Sequence, residues 1–158
     1  WQDTVALGFA TLNQILIMDG DGAVVDSVNP PVARRRGVPP NLVEEYARRR
    51  RLEYYPQLAS LLMQVGHTSD GRLILVHHDM NQDGDRFWST AYVTLVSADR
   101  KSACVDARID LSPDAQSHTA IVGDRVAAYE QAAGSDNAAS WVKTYRIDDS
   151  ACDWVPAR

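Results

Sequence analysis

LLMQV (Leu61–Val65), RLILVHH (Arg72–His78), TAYVTLV (Thr90–Val96) and ACVDARIDL (Ala103–Leu111) are four apolar runs in close succession, and their reading decides the fold. Asp70-Gly71 separates the first run from the second. The polar stretch DMNQDGD (Asp79–Asp85) leads from the second to the third, and Ala98-Asp-Arg-Lys101 leads to the fourth. Short runs rich in β-branched residues, divided by Gly and Asp turn signals, predict an antiparallel meander. The four together make one complete sheet, residues 61–111.

The same order is legible on either side. Toward the N-terminus, a strand lies within Trp1–Phe9, a second is Gln14-Ile-Leu-Ile-Met18, and Asp19-Gly-Asp-Gly22 supplies the positive-φ residues of a hairpin returning through Ala23–Val28. Asn29-Pro30-Pro31 ends this unit, because proline cannot donate to a ladder. Toward the C-terminus, Thr119–Val122, Val126–Glu130 and Trp141–Ile147 predict three more strands, with a last short one in Cys152–Val155. Aligned on their turns, Asn13-Gln-Ile-Leu-Ile-Met-Asp19, Tyr92-Val-Thr-Leu-Val-Ser-Ala-Asp99 and Trp141-Val-Lys-Thr-Tyr-Arg-Ile-Asp148 repeat with a period close to 50 residues. Such a period indicates a radial or solenoid array of four-stranded sheets. The first unit is read as lacking its innermost strand.

Residues 32–60 interrupt the pattern. Asn41 and Glu44 stand in the N-cap and N3 relation of a capping box, and a surface helix is predicted over residues 42–54, ended by Tyr54-Tyr55-Pro56. Glu44 with Arg48 and Glu45 with Arg49 are i,i+4 pairs in the favourable order.

Composition bounds the function. A chain of 158 residues that is 45% hydrophobic has enough apolar surface for a core, and no apolar run approaches the roughly 20 residues of a spanning helix. A net charge of -5 speaks against general nucleic-acid binding. The charge is uneven: Arg34, Arg35, Arg36 and Arg48–Arg51 are clustered, read as a solvated face with an acidic partner or phosphate as the alternative. The chain begins with Trp1 rather than Met and is read as a fragment of a longer one.

The phrases Gln14–Gly22, Ser69-Asp-Gly-Arg-Leu-Ile-Leu75 and Val96-Ser-Ala-Asp99, with an insert after Arg36-Gly-Val-Pro-Pro40, resemble the C-terminal blades of a six-bladed β-propeller of the NHL/TolB-like kind, particularly its extracytoplasmic bacterial versions. The resemblance implies an all-β fold of about two and three-quarter antiparallel four-stranded blades in an incomplete ring, with one inserted helix. The blades would be residues 1–31, 61–111 and 112–158, around a helical insert at 32–60. It implies a non-catalytic scaffold for a protein or small-molecule ligand, completed by the remaining blades of the parent chain. The alternative is a propeller hydrolase or lyase whose catalytic residues lie partly in the missing blades.

Asp79, Asn81, Asp83 and Asp85 match the start of a DxNxDG calcium loop, although position 12 would be Thr90 and not a bidentate Glu. The competing reading is a solvated hairpin loop, and no other cofactor is expected. His77 and His78 are adjacent on a strand and point to opposite faces, so they do not chelate one ion together. With Asp79 and His118 they offer general-base chemistry, but no nucleophile motif accompanies them, and no catalytic residue is assigned. Trp88, Trp141, Trp154 and Tyr92 are read as blade packing, a ligand platform being the alternative. Cys104 and Cys152 have neither CxxC spacing nor a companion His for zinc. They are expected to form a disulfide between outer strands of neighbouring blades or with a strand folded back, two buried thiols being the alternative. A disulfide places the protein in the periplasm or outside the cell.

Overall fold

A computed structural model of the chain describes residues 3–10, 12–37, 41, 44, 48, 60–132 and 139–158. Within them the fold is all-β, with strands β1 (Thr4–Gly8), β2 (Ile15–Asp19), β3 (Val24–Val28), β4 (Ser60–His67), β5 (Leu73–Asp83), β6 (Arg86–Val96), β7 (Ser102–Ile109), β8 (Ala115–Val122), β9 (Arg125–Ala132), β10 (Ser140–Arg146) and β11 (Trp154–Pro156). They form three antiparallel sheets: β1-β2-β3, β11-β7-β6-β5-β4 and β10-β9-β8.

The five-stranded sheet is the middle layer, and β5 shows why. Leu73 to Asp79 are all buried, because alternate side chains enter two different cores. Leu73 and Leu75 face the first sheet and pack with Ile15, Ile17, Val28, Leu62, Val96 and Ala103. Ile74 and Val76 face the third and pack with Ala91, Val93, Leu95, Cys104, Ile109 and Val126. Each fully buried aliphatic side chain contributes about 1.5–3 kcal/mol, so an uninterrupted LILV run is what a doubly covered strand requires.

The sheets stack in a repeated way. Gly8 of β1 lies against β4, where an added Cβ would stand 2.4 Å from Leu62 Cδ2 and 2.8 Å from Val65 Cγ2. Gly66 of β4 lies in turn against β8, where a Cβ would stand 2.9 Å from Ile121 Cγ2. Between β4 and β8, Gln64 Nε2 donates to Thr119 O, and in the turns that follow these strands Ser69 N donates to Asp124 Oδ1 at 3.0 Å, each pair 55 residues apart. A constant offset means that β4 and β8 run side by side in the same direction.

Several expectations change. β1 stacks on β4, the first strand of the middle sheet, so among the described residues the first sheet has its first strand and no counterpart of β7, the reverse of the expected loss of the innermost strand. The phrase in β2 therefore matches the second strand of its sheet, whereas those in β6 and β10 lie in third strands; aligning on turns alone shifted the repeat by one strand. The sheets have three, five and three strands instead of four each. The fifth strand is β11, which leaves the third unit and pairs with β7 (Trp154↔Cys104, Val155↔Ala103), covering an edge that would otherwise present unpaired backbone groups. The segment Asp79–Asp85 is not a loop: β5 and β6 stay in register to Asp83↔Arg86, and only Gly84 (φ 58°) and Asp85 form the turn. Most of the helix expected at 42–54 lies outside the described residues; Asn41, Glu44 and Arg48 have helical backbone there, but no helix stands among the elements that the described residues form.

Candidate functional site: a buried polar cluster between the first and middle sheets

After β3 the chain crosses the middle sheet as the connector Asn29–Gly37, and it is held there by two carboxylates that stand at buried strand positions. The first is Asp106. A bulge between β6 and β7, opposite Val93 and Leu95, places it at φ 54°, a conformation that aspartate tolerates better than most residues. Its Oδ2 accepts the backbone N–H groups of Ala33 (2.5 Å), Arg34 (2.7 Å) and Arg35 (3.3 Å), so three successive amides form an anion-holding nest. Its Oδ1 meets Arg35 Nε at 3.2 Å and accepts Thr94 Oγ1–H at 3.4 Å. Arg35 Nη2 donates to Asn13 Oδ1 at 2.6 Å, and Asn13 Nδ2 donates to Pro30 O.

The second carboxylate, Asp79, accepts the backbone N–H of Arg36 at Oδ2 (3.0 Å), with Arg36 Nε at 3.9 Å; Arg36 Nη2 donates to Met80 O. Burial lowers the Arg35 pKa, opposed by the charges of Asp106 and Asp79. The Arg35–Asp106 pair is fully enclosed, with side chains 1% and 0% exposed, and removing one partner of such a pair costs about 3–5 kcal/mol because the other charge stays buried.

Arg35 Nε meets Asp106 as an ion pair without a hydrogen bond, and beside this anchor four further buried polar atoms have no hydrogen-bond partner: Arg35 Nη1, Ser60 Oγ, His77 Nδ1 and Asp79 Oδ1. Ser60 is the cross-strand neighbour of Asp79, and His77 precedes Asp79 by two residues, so all three side chains share the face toward the first sheet. Burial, then Arg35, then His78 push the His77 pKa down to about 3. Ser, His and Asp are the residue types of a hydrolytic triad, but none of these three atoms bonds another. A histidine so far below neutral pH is also a poor general base, which works best with a pKa near the operating pH. The arrangement is suited to holding a polar group rather than to activating a nucleophile.

His78 turns to the opposite face, as its place next to His77 requires. Its Nε2 pairs with Thr119 Oγ1 at 3.0 Å, and burial and His118, against Asp79, lower its pKa to about 4. On that side Glu130 is fully buried but completely partnered. Burial alone would raise its pKa; Lys143 (2.7 Å), the Ser112 amide and Trp141 Nε1 (2.7 Å) hold it below the usual value. Trp141 thus packs and bonds within the third sheet. A cleft of about 640 Å³ lies where the β4–β5 and β8–β9 turns meet the end of β10, but Arg72 in it is tied to Asp70 (3.0 Å) and Asp149 (2.6 Å), and Asp124 to Ser69.

The predicted calcium ligands are strung out along a hairpin. Asp79 is buried under Arg36, Asn81 Nδ2 donates to Asp79 O (3.1 Å), and Asp83 and Asp85 are exposed at the tip. Among the described residues no group of three or more His, Cys, Asp or Glu side chains is placed to hold a metal ion. Cys104 and Cys152 stand at disulfide distance, with Cα atoms 5.8 Å apart. The partner strand is the one folded back: Cys152 precedes β11, which lies on β7 beside Cys104. Of the arginine cluster, Arg34 and Arg48 are exposed, Arg35 is buried, and Arg49–Arg51 lie outside the described residues. Sequence reasoning placed Arg35 on a solvated face, whereas it is buried, and missed Asp106, Ser60, Thr94 and Asn13. The available signal was Asp106 itself, a carboxylate inside the apolar run ACVDARI, which demands a buried cation or several N–H donors. Comparison with protein-family models, with curated proteins and with solved structures finds no significant match to the chain.

Proposed function

We propose that the chain is part of a β-propeller of the NHL/TolB-like kind that serves as a non-catalytic binding scaffold outside the cytoplasm, completed by further blades of a longer parent chain. The observation that carries this reading is the repeated stacking: glycine against the next sheet at Gly8 and again at Gly66, and a 55-residue offset between β4 and β8. Both end faces of the stack expose large apolar side chains, among them Val5 (63%) and Leu7 (42%) at one end and Val122 (61%) and Val142 (64%) at the other. Such faces are what a further blade would cover. The cysteine pair at disulfide distance supports an oxidising compartment, hence the periplasm or the exterior.

The low His77 pKa and the absence of a bond from Ser60 or Asp79 to its ring favour binding over hydrolase or lyase chemistry. The test is an assay of the parent protein on ester, phosphoester and glycoside substrates and on polysaccharides, with and without divalent metal. The scaffold reading predicts no turnover that depends on this chain. Turnover abolished by His77→Gln or Asp79→Asn, with the fold retained, would establish the hydrolase or lyase alternative.

A further inference from the structure

Arg35, Ser60, His77 and Asp79 are each 3–4% exposed and lie on the same side of the middle sheet, and Arg35 Nη1, Ser60 Oγ, His77 Nδ1 and Asp79 Oδ1 have no hydrogen-bond partner in the protein. Buried polar groups in native proteins are almost always hydrogen-bonded, and four such atoms on one face, with Ser60 paired across from Asp79 and Arg35 close enough to act electrostatically on Asp79 and His77, point to a shared partner. The chemistry of that partner follows from the atoms. Arg35 Nη1 only donates and Asp79 Oδ1, as a carboxylate, only accepts, whereas Ser60 Oγ and the ring nitrogen of neutral His77 can do either. A group satisfying both ends must accept and donate at once.

Charge narrows the choice. Arg35 and Arg36 are balanced by Asp79 and Asp106, so the site is neutral as it stands. An anion would face Asp79 and Asp106, and a cation would face Arg35, each at the cost of an uncompensated buried charge. The remaining class is the neutral hydroxyl oxygen, of ordered water or of a polyol ligand, since buried water typically makes about three hydrogen bonds to such groups. We propose that Arg35 Nη1, Ser60 Oγ, His77 Nδ1 and Asp79 Oδ1 form a binding site for one or two neutral hydroxyl oxygens, which join the 29–37 connector to the middle sheet. The site is independent of the propeller reading, because its four atoms belong to described residues of this chain, Arg35, Ser60, His77 and Asp79.

The test is a crystal structure of the 158-residue chain at a resolution that shows ordered water, from polyol-free crystals, and a second after a glycerol soak. The expected result is an oxygen within hydrogen-bond distance of at least three of the four atoms. An oxygen unchanged by the soak assigns the site to water, and replacement by a glycerol hydroxyl assigns it to hydroxylated ligands as well. Direct bonds among the four side chains with no oxygen between them, or an ion in the site, would overturn the proposal. Oxygen-17 relaxation dispersion gives the solution counterpart: wild type should hold at least one more long-lived water than the double variant Ser60→Ala with His77→Leu, which leaves only two of the four atoms. Equal counts in two folded proteins would contradict the proposal.

Discussion

His77 and His78 make the stability of this protein depend on pH in a window that few other groups share. Both have folded-state pKa values, about 3 and about 4, far below the ordinary 6.5, because burial disfavours the imidazolium. For a base with a depressed folded pKa, the unfolded chain takes up the proton first. The stabilisation is therefore complete above pH 6.5 and is lost as pH falls from 6.5 toward the folded values. At pH 5 the unfolded state gains about 2 kcal/mol per histidine from protonation, while the folded state gains almost nothing, so the pair together costs about 4 kcal/mol. The carboxylates held below their ordinary values, Asp26, Asp70, Asp99, Asp148 and Glu130, act in the opposite sense of charge but the same direction of pH, and their loss comes at lower pH, below their ordinary values of 3.8 and 4.5. Urea unfolding at pH 7.5 and 5.0 separates the two windows. Wild type should lose about 4 kcal/mol between them, and His78→Gln, whose amide can still reach Thr119, should lose about 2 kcal/mol. A wild-type loss below about 1 kcal/mol, or a variant that keeps the whole loss, would refute the burial argument.

Asp106→Ala should lower stability by about 3–5 kcal/mol, read as a shifted urea midpoint, because it strands Arg35 and three amides; Arg35→Met with Asp106→Leu should recover part of that loss, and a single variant as stable as wild type would remove the anchor role. Reducing the Cys104–Cys152 bond should cost about 4 kcal/mol for a loop of this length, and identical melting curves with and without reductant would count against any stabilising bond. Millimolar calcium should leave the melting temperature unchanged, since alternate residues on a strand stand about 6.6 Å apart and ligands must lie within about 2.6 Å of the ion. A rise in the presence of calcium that chelator reverses would restore Asp79, Asn81, Asp83 and Asp85 as ligands.

The legible parts of the fold are those with a local physical cause. Turns at Asp19–Gly22 and Asp70-Gly71 announce themselves through residues that accept positive φ, and Gly22 (φ 83°) and Gly71 (φ 87°) occupy it. The run LILV reads as a strand without a solvent face, and the adjacent histidines part to opposite faces as a pleat requires. Other features have no local signature. A three-residue strand containing Pro156 carries no periodicity, so the return of β11 to β7 depends on tertiary pairing. The polar residues Asp79, Asn81 and Asp83 at period two fit a strand as well as an ion loop, and only pairing with β6 decides between them. Which of three consecutive arginines is buried depends on where Asp106 and Asp79 lie, 71 and 43 residues away from their amide partners at Arg35 and Arg36.

The measurement that bears most directly on the scaffold reading is an experimental structure of the parent protein that contains this chain. The propeller account predicts further antiparallel sheets on the outer faces at Val5 and Leu7 and at Val122 and Val142, each packed with the neighbouring first strands parallel, as β4 and β8 are, and closing around a common axis. A structure in which those two faces meet solvent, or are covered by an element unlike these sheets, would contradict it.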